Sequence, residues 1–312
     1  MQDISKLFLI FAEKCENMEY NIIIPVVYKD YSFLRKTLRF VQKNLSATKI
    51  FILTDGRMAK YLSKEIRNCP ICQIVDENSL LEGLTYQKIY KIIKSQGREH
   101  TNTGWFFQQF LKMGFALSDY CDTEYYLSWD ADTIPLRPIP FFTEDEHPYF
   151  TMKTEYHEPY FEAIQRLIGL EKSNSRSYIA EHMMFNKNVM QELLGKINLS
   201  EVEGDVWYEK IMNTIVPETV STDSFSEFET YGTYCMAYHP DMYVERQIPG
   251  YRLAGLIQGR FVSDKILERL ASDAYVASFE IYDRPPFPWG KICEWHEKWL
   301  KKKEAFLKKM VI

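Results

Sequence analysis

No stretch of this 312-residue chain approaches the roughly 20 consecutive apolar residues that a membrane-spanning helix requires. The apolar run Leu7-Phe8-Leu9-Ile10-Phe11-Ala12, flanked by Lys6 and Glu13, is too short to span, and no small-residue cleavage site follows it. An integral membrane protein is therefore not expected. Charge of one sign is also lacking. With 38 Lys and Arg against 43 Asp and Glu, the formal net charge is −5. That balance provides no global basic field, so nucleic acid is not an expected partner. Cysteine is sparse, six residues scattered at 15, 69, 72, 121, 235 and 293. Cys69-Pro70-Ile71-Cys72 has C-x-x-C spacing, but no second pair completes a zinc site. It reads as small residues entering a strand over 71–75, and unpaired thiols suit a reducing compartment such as the cytoplasm. Internal repeats and low-complexity segments are missing too. What the chain has in quantity is aromatic side chains, 21 Tyr and 20 Phe, which fill cores and also line sugar- and base-binding clefts. The length suffices for one large core or two modest ones.

The hydrophobic pattern alternates between two periods. Residues 21–27, Asn-Ile-Ile-Ile-Pro-Val-Val, form a continuous run expected of a strand buried on both faces. Helical spacing over 30–44 follows, with Phe33, Leu34, Leu38 and Val41 on one side. A second strand over 49–54 ends at Asp55-Gly56, a helix is expected over 57–68, and a third strand covers 71–75. Strand and helix alternating at short spacing argue for a parallel, doubly wound sheet. Ligands of such sheets sit beyond the carboxyl ends of the strands, which places Pro25–Tyr28, Asp55 and Asp76 on the candidate rim. A long helix over 104–120 puts Phe106, Phe110, Met113 and Leu117 on its core face, and Trp105, Gln108, Gln109 and Lys112 on another. The strand Glu124–Trp129 then runs straight into Asp130-Ala131-Asp132, and Pro135 and Pro138 force an extended exit. Residues 141–282 read as less regular, the acceptor-binding half of one domain over 1–282. A Pro-rich linker and a basic amphipathic helix over 289–310 form a C-terminal appendage.

Two aspartates one residue apart at the end of a buried strand repel one another, and a cation or a proton must relieve them. Mg²⁺ or Mn²⁺ takes hard oxygen ligands of this kind. Such an ion also grips a diphosphate as a nucleoside-diphosphate leaving group departs. Taken with Ile24-Pro25-Val26-Val27-Tyr28-Lys29-Asp30-Tyr31-Ser32-Phe33-Leu34 and the Trp105–Lys112 helix, Ser128-Trp129-Asp130-Ala131-Asp132-Thr133 resembles the glycosyltransferases of the GT-A fold. The likeness is closest to a bacterial group tied to polysaccharide biosynthesis. It implies a GT-A-like, Rossmann-related mixed sheet flanked by helices. It also implies a nucleotide-sugar donor, most simply a UDP-sugar, and a saccharide or lipid-linked saccharide acceptor. Metal and diphosphate fall to Asp130 and Asp132, the nucleoside to Pro25, Val27, Tyr28 and Asp55, and the donor phosphates to Gln109 and Lys112.

The acidic segment Phe225–Gly232 resembles the acceptor loop of inverting members, with Glu227 or Glu229 as general base. Extended, it places both glutamates on one face; otherwise Ser226 starts a helix, with Glu229 completing a capping box. His157, Glu181 and His182 are candidates for the acceptor cleft, and His239 for a third metal ligand. A sugar nucleotidyltransferase is the alternative, opposed by a first-strand loop, Val27–Tyr31, that lacks glycine. A carbohydrate-binding protein without catalysis is the third reading. Residues 290–312 carry seven Lys against three Glu, with Ile292, Trp295, Trp299, Phe306 and Met310 near one face. Such a helix can lie in a membrane interface, on the inner face of the plasma membrane for a cytoplasmic protein, or dock on its own domain.

Overall fold

In a computed structural model, residues 18–97, 103–172, 175–215 and 224–310 are described, with side chains to 307. The Leu7–Ala12 run and Cys15 lie outside the described residues. The β-branched run becomes β1 (Tyr20–Pro25), buried at every position. Its neighbours are β2 (Ile50–Thr54), β3 (Cys72–Asp76), β4 (Tyr125–Trp129) and β7 (His182–Asn186), in the order β3-β2-β1-β4-β7. β1 runs parallel to β2 and β4, and β2 parallel to β3. β7 pairs antiparallel to β4, so the sheet is mixed where alternation alone argued for a parallel one. Side chains of successive residues leave on opposite faces. Ile23, Phe51 and Tyr126 join one apolar cluster, and Ile22, Ile24, Ile50, Ile52 and Leu127 join another. Helices cover both faces, the expected architecture.

The strand order turns from one direction to the other at β1. The chain moves outward through β2 and β3, then returns to the opposite side of β1 as β4. The carboxyl ends of β1 and β4 therefore flank a topological switch point, where open α/β sheets bind ligands.

The helix α1 (Tyr31–Asn44) buries Phe33, Leu34, Leu38 and Val41 as expected. The helix expected over 57–68 is only α2 (Lys64–Arg67), because Ser63 restarts the chain as an N-cap, its hydroxyl accepting from the Ile66 amide at 3.3 Å. After α3 (Tyr86–Ser95), the aromatic helix α4 (Thr103–Gly114) stops short of 120. It tightens into a 3₁₀ turn over Phe115–Leu117. The second half is more regular than expected. It holds α5 (Glu158–Ile168), α6 (Lys187–Asn198), α7 (Trp207–Thr214), α8 (Glu227–Tyr238), α9 (Gly255–Gln258) and α10 (Asp264–Leu270). Two small sheets join them. β5 (Thr133–Pro135) pairs antiparallel with β10 (Val276–Ser278), which pairs with β9 (Gly250–Tyr251). β6 (Tyr149–Thr151) pairs with β8 (Val244–Arg246). The last helix, α11 (Trp289–Met310), docks on the sheet's second cluster through Leu300 and Leu307.

Candidate active site

β4 delivers the aspartate pair. Its last residue, Trp129, is fully buried, and its indole donates to the Thr133 carbonyl at 2.8 Å. The Asp130 amide donates to the Glu181 carbonyl at 3.2 Å, and the Thr133 amide to the Asp130 carbonyl at 3.1 Å. The turn is pinned from both sides, so the two carboxylates leave it in fixed and different directions.

Asp130 meets a buried lysine. Lys112, on α4, brings Nζ to 3.1 Å from Asp130 Oδ1 and 2.9 Å from Glu227 Oε1. The same ammonium lies over the Phe228 ring, 4.5 Å from its centroid. Burial alone would depress its pKa; Asp130 and Glu227 outweigh burial and raise it above the ordinary lysine value. Beside it, Gln109 accepts from the Glu227 amide at 3.0 Å, which fixes the first turn of α8.

Asp132 faces a second cation. Arg260 donates to Asp132 Oδ2 at 3.4 Å, to Asp30 Oδ1 at 2.5 Å, and to the Phe279 carbonyl at 3.0 Å. Because β10 pairs with β5, Phe279 is held to the Asp132 carbonyl at 3.0 Å, and the next residue, Glu280, brings its carboxyl against that of Asp132. Burial first, and the Glu280 charge second, hold Asp132 well above the usual carboxylate range, against Arg260. Glu280 is raised as well, burial outweighing its hydrogen bond with Asp132. Tyr282 next to them is pushed up to about 12, by burial and then by Glu280.

Among the described residues, no group of three His, Cys, Asp or Glu is disposed to hold a metal ion as it stands. The ligand chemistry nearest to completion is the touching carboxyl pair of Asp132 and Glu280. Two acidic oxygens in contact need a proton or a cation between them, and hard oxygens suit Mg²⁺ or Mn²⁺.

Other expected residues fall in different places. Segment 226–232 is helical, not extended: the Ser226 hydroxyl caps α8, accepting from the Glu229 amide at 3.3 Å. Glu229 does not complete a capping box. Fully buried, it accepts from Ser177 at 2.6 Å and the Tyr178 amide at 3.1 Å, and pairs with Lys172 at 2.7 Å. With both oxygens so engaged, it is a structural carboxylate and not a base within reach of a substrate. Glu227 stays in the cluster. His239 ends α8 at the far end from Glu227 and meets Glu192 at 2.8 Å. A 12-residue helix is about 18 Å long, so His239 cannot share a metal with Asp130 and Asp132.

His182 pairs with Trp129 across the strands and stacks on its ring, 5.0 Å between centroids. Burial first, then Arg246 and Lys153, lower its pKa well below 6.5, so it is neutral. Glu181 reaches Lys153 at 3.3 Å and positions Asp130 through its carbonyl. His157 caps α5 with its ring against Tyr160, and neighbouring Glu155 pairs with Arg252; neither is brought to the aspartates. On the β1 rim, Pro25 and Tyr28 are buried, and Val27 is 42% exposed. The Tyr28 ring packs on Tyr31 and Tyr61. Asp55 is held by the Arg57 guanidinium at 2.7 Å.

Sequence reasoning missed Arg260, Glu280 and the role of Asp30. A signal existed for Glu280: the apolar run Tyr275–Phe279 ends in a carboxylate, the same pattern that marked Asp130.

A family model described as "Family of unknown function (DUF6492)" matches residues 22–247. The chain belongs to that family. The matched segment of this DUF6492 chain contains Lys112, both aspartates and Glu227, whereas Arg260 and Glu280 lie beyond it. No curated protein matches the DUF6492 chain. Solved structures similar to it include the galactosyltransferase LgtC in complex with donor and acceptor sugar analogues. That structure shares 10% identity, covers 90% of this chain and 95% of that one, and has a TM-score of 0.41. Mouse xyloside xylosyltransferase 1 shares 8% identity, covers 86% and 100%, and has a TM-score of 0.36. The apo glycosyltransferase GlyE of Streptococcus pneumoniae TIGR4 shares 8%, covers 92% and 64%, and has a TM-score of 0.40.

Proposed function

We propose that this chain is a glycosyltransferase that moves a sugar from a nucleoside-diphosphate sugar to a saccharide acceptor. The observation that carries this reading is the placement of Asp130 and Asp132. They leave the carboxyl end of β4 at the switch point of the sheet, each facing a buried cation, Lys112 and Arg260. A diphosphate is the ligand that such a set of opposed charges accommodates. The ammonium acts as a point charge, and the guanidinium presents a rigid fork. Bound Mg²⁺ or Mn²⁺, held by Asp132 with Glu280 in support, would supply neutralisation of the leaving diphosphate. The protein's own contribution is pre-organisation: the pinned turn and the two cations need not rearrange as negative charge develops.

Transfer with inversion needs a carboxylate opposite the leaving group, and Glu227 is the one within the cluster. Its carboxylate is engaged by Lys112 at 2.9 Å. A donor phosphate competing for that ammonium would free Glu227 as the donor binds. Synthesis of bacterial surface polysaccharide, with a UDP-sugar as donor and in the cytoplasm, is the setting that this chemistry and the GT-A resemblance favour.

Calorimetric titration of UDP into the full chain, with Mn²⁺ and then with EDTA, tests the donor site. Binding that requires the metal and disappears in Asp132→Ala supports the assignment. Equal binding with and without metal removes the cation from the reading. Silence toward UDP, GDP, CMP and dTDP alike would sink it.

A further inference from the structure

The helix α11 carries apolar residues on two faces. Its inner face is a seven-residue repeat, Cys293, Leu300 and Leu307. The first two are buried, and Leu307 packs on the core beneath the sheet. Docking on the domain therefore leaves much of the aromatic stripe uncovered. Trp295 is 70% exposed, Phe306 61%, Trp299 45% and Ile292 39%.

The stripe does not end with the helix. The Phe261 ring lies against Trp289 and against His296, at 6.4 and 5.2 Å between centroids, and His296 stacks on Trp299 at 6.1 Å. Phe261 belongs to a segment whose Leu253, Leu256 and Ile257 are also exposed. That segment is fastened to α11 so closely that a Cβ at Gly259 would stand 2.3 Å from the Cys293 sulfur. Two separate elements thus meet through Phe261 and both carry exposed apolar side chains, a feature that can mark an interaction surface.

Lysines border this surface. Lys291, Lys298, Lys301, Lys302 and Lys303 are all exposed, and Lys303 lies 4.7 Å above the Trp299 ring. Residues 290–312 carry four more positive than negative charges on a chain whose net charge is −5. Lys291 and Lys298 pair with Glu294, and Lys301 with Glu297, within the helix, so the charge that a protein partner would have to bury or match is chiefly that of Lys302 and Lys303. A bilayer surface does neither. Its headgroup region accepts tryptophan rings, lysine stems lie along the apolar surface with their ammoniums in water, and anionic lipids supply the countercharge. None of the described helices is long and apolar enough to cross a membrane.

We propose that the outer face of α11, together with Leu253–Phe261, docks on the surface of an anionic phospholipid bilayer and lies within its interface. Arg260, which anchors Asp132, stands in that segment next to Phe261, so the docking face adjoins the candidate active site. The proposal does not depend on the transferase reading.

The test is co-sedimentation of the full chain with phosphatidylcholine vesicles, with and without added phosphatidylglycerol, at low and high salt. The chain is expected to pellet with the anionic vesicles and to be released as salt rises. The charge-reversal pair Lys302→Glu and Lys303→Glu should weaken binding roughly tenfold or more. The exposed pair Trp295→Ser and Phe306→Ser should do the same while leaving the thermal midpoint unchanged. Failure to pellet with anionic vesicles overturns the proposal, as does equal binding to neutral ones. A concentration-dependent dimer that Trp295→Ser dissolves would overturn it too, by identifying a second copy as the occupant.

Discussion

Lys112 offers one positive charge to two carboxylates. Replacing it with methionine keeps the volume and leaves Glu227, only 5% exposed, without its cation. Removing one partner of a buried pair costs about 3–5 kcal/mol. Lys112→Met should lower the urea midpoint accordingly, with Lys112→Met plus Glu227→Gln recovering part of the loss. Glu229 poses the opposite case. Glu229→Gln breaks the pair with Lys172 and should destabilise by a similar amount. The fraction that remains folded should bind UDP as before, which calorimetry and urea unfolding read separately. His182 sets a pH dependence. Its folded pKa is depressed by burial, so the unfolded chain binds the proton more readily, and stability is lost as pH falls below its ordinary 6.5. Urea midpoints at pH 7.5 and 5.5 should differ more in the native chain than in His182→Phe. Equal differences would show that the ring is not the titrating group.

Among the elements, α8 has a tightly constrained interior. At Gly232 a Cβ would stand 2.4 Å from the Tyr178 ring, and Tyr178 is itself buried. Alanine in a helix interior ordinarily gains about 1 kcal/mol over glycine, but overpacking a filled core costs about 1–3 kcal/mol. A rigid, enclosed ring cannot swing aside, so the second effect wins. Gly232→Ala should lower the thermal midpoint, and Tyr178→Leu in the same chain should relieve it. The elements differ in how much of themselves they show in sequence. β1, β2 and β4 are continuous apolar runs closed by polar residues, and they were legible because burial on both faces leaves no other pattern. α8 was ambiguous because Ser226-Glu227-Phe228-Glu229 satisfies both an alternating and a capped-helix reading. The capping hydroxyl and the Glu229 contacts across the fold decide between them. α2 was overestimated because Met58, Leu62 and Ile66 recur at helical spacing, and that spacing does not reveal that Ser63 restarts the chain.

At the scale of the whole molecule, the candidate site is assembled from both ends of the chain. Asp130 and Asp132 were legible, since a carboxylate pair closing a buried strand is costly and therefore noticeable. Arg260 was not: its partners Asp30 and Asp132 are 230 and 128 residues away, and only the pairing of β5 with β10 makes them neighbours. The family model stops at 247, before both Arg260 and β10. A fragment ending at residue 250 would leave β5 without β10 and Asp132 without Arg260. It should show weak near-ultraviolet circular dichroism and no UDP binding. A fragment that binds UDP as tightly as the full chain would show that the C-terminal segment is dispensable to the donor site.

The contact between Asp132 and Glu280 has a consequence in time as well as in space. The two residues are separated by 148 positions, and at roughly 5–20 residues per second of synthesis the second leaves the ribosome some 7–30 s after the first. During that interval the sheet strands β1 to β4 are complete, yet the carboxylate at the end of β4 has no Arg260 to receive it. A nascent chain of this kind carries β1 to β4 and both aspartates well before Arg260 and Glu280 can join them. The order of synthesis thus completes the candidate site only when α11, whose outer face we assign to the bilayer, is about to follow.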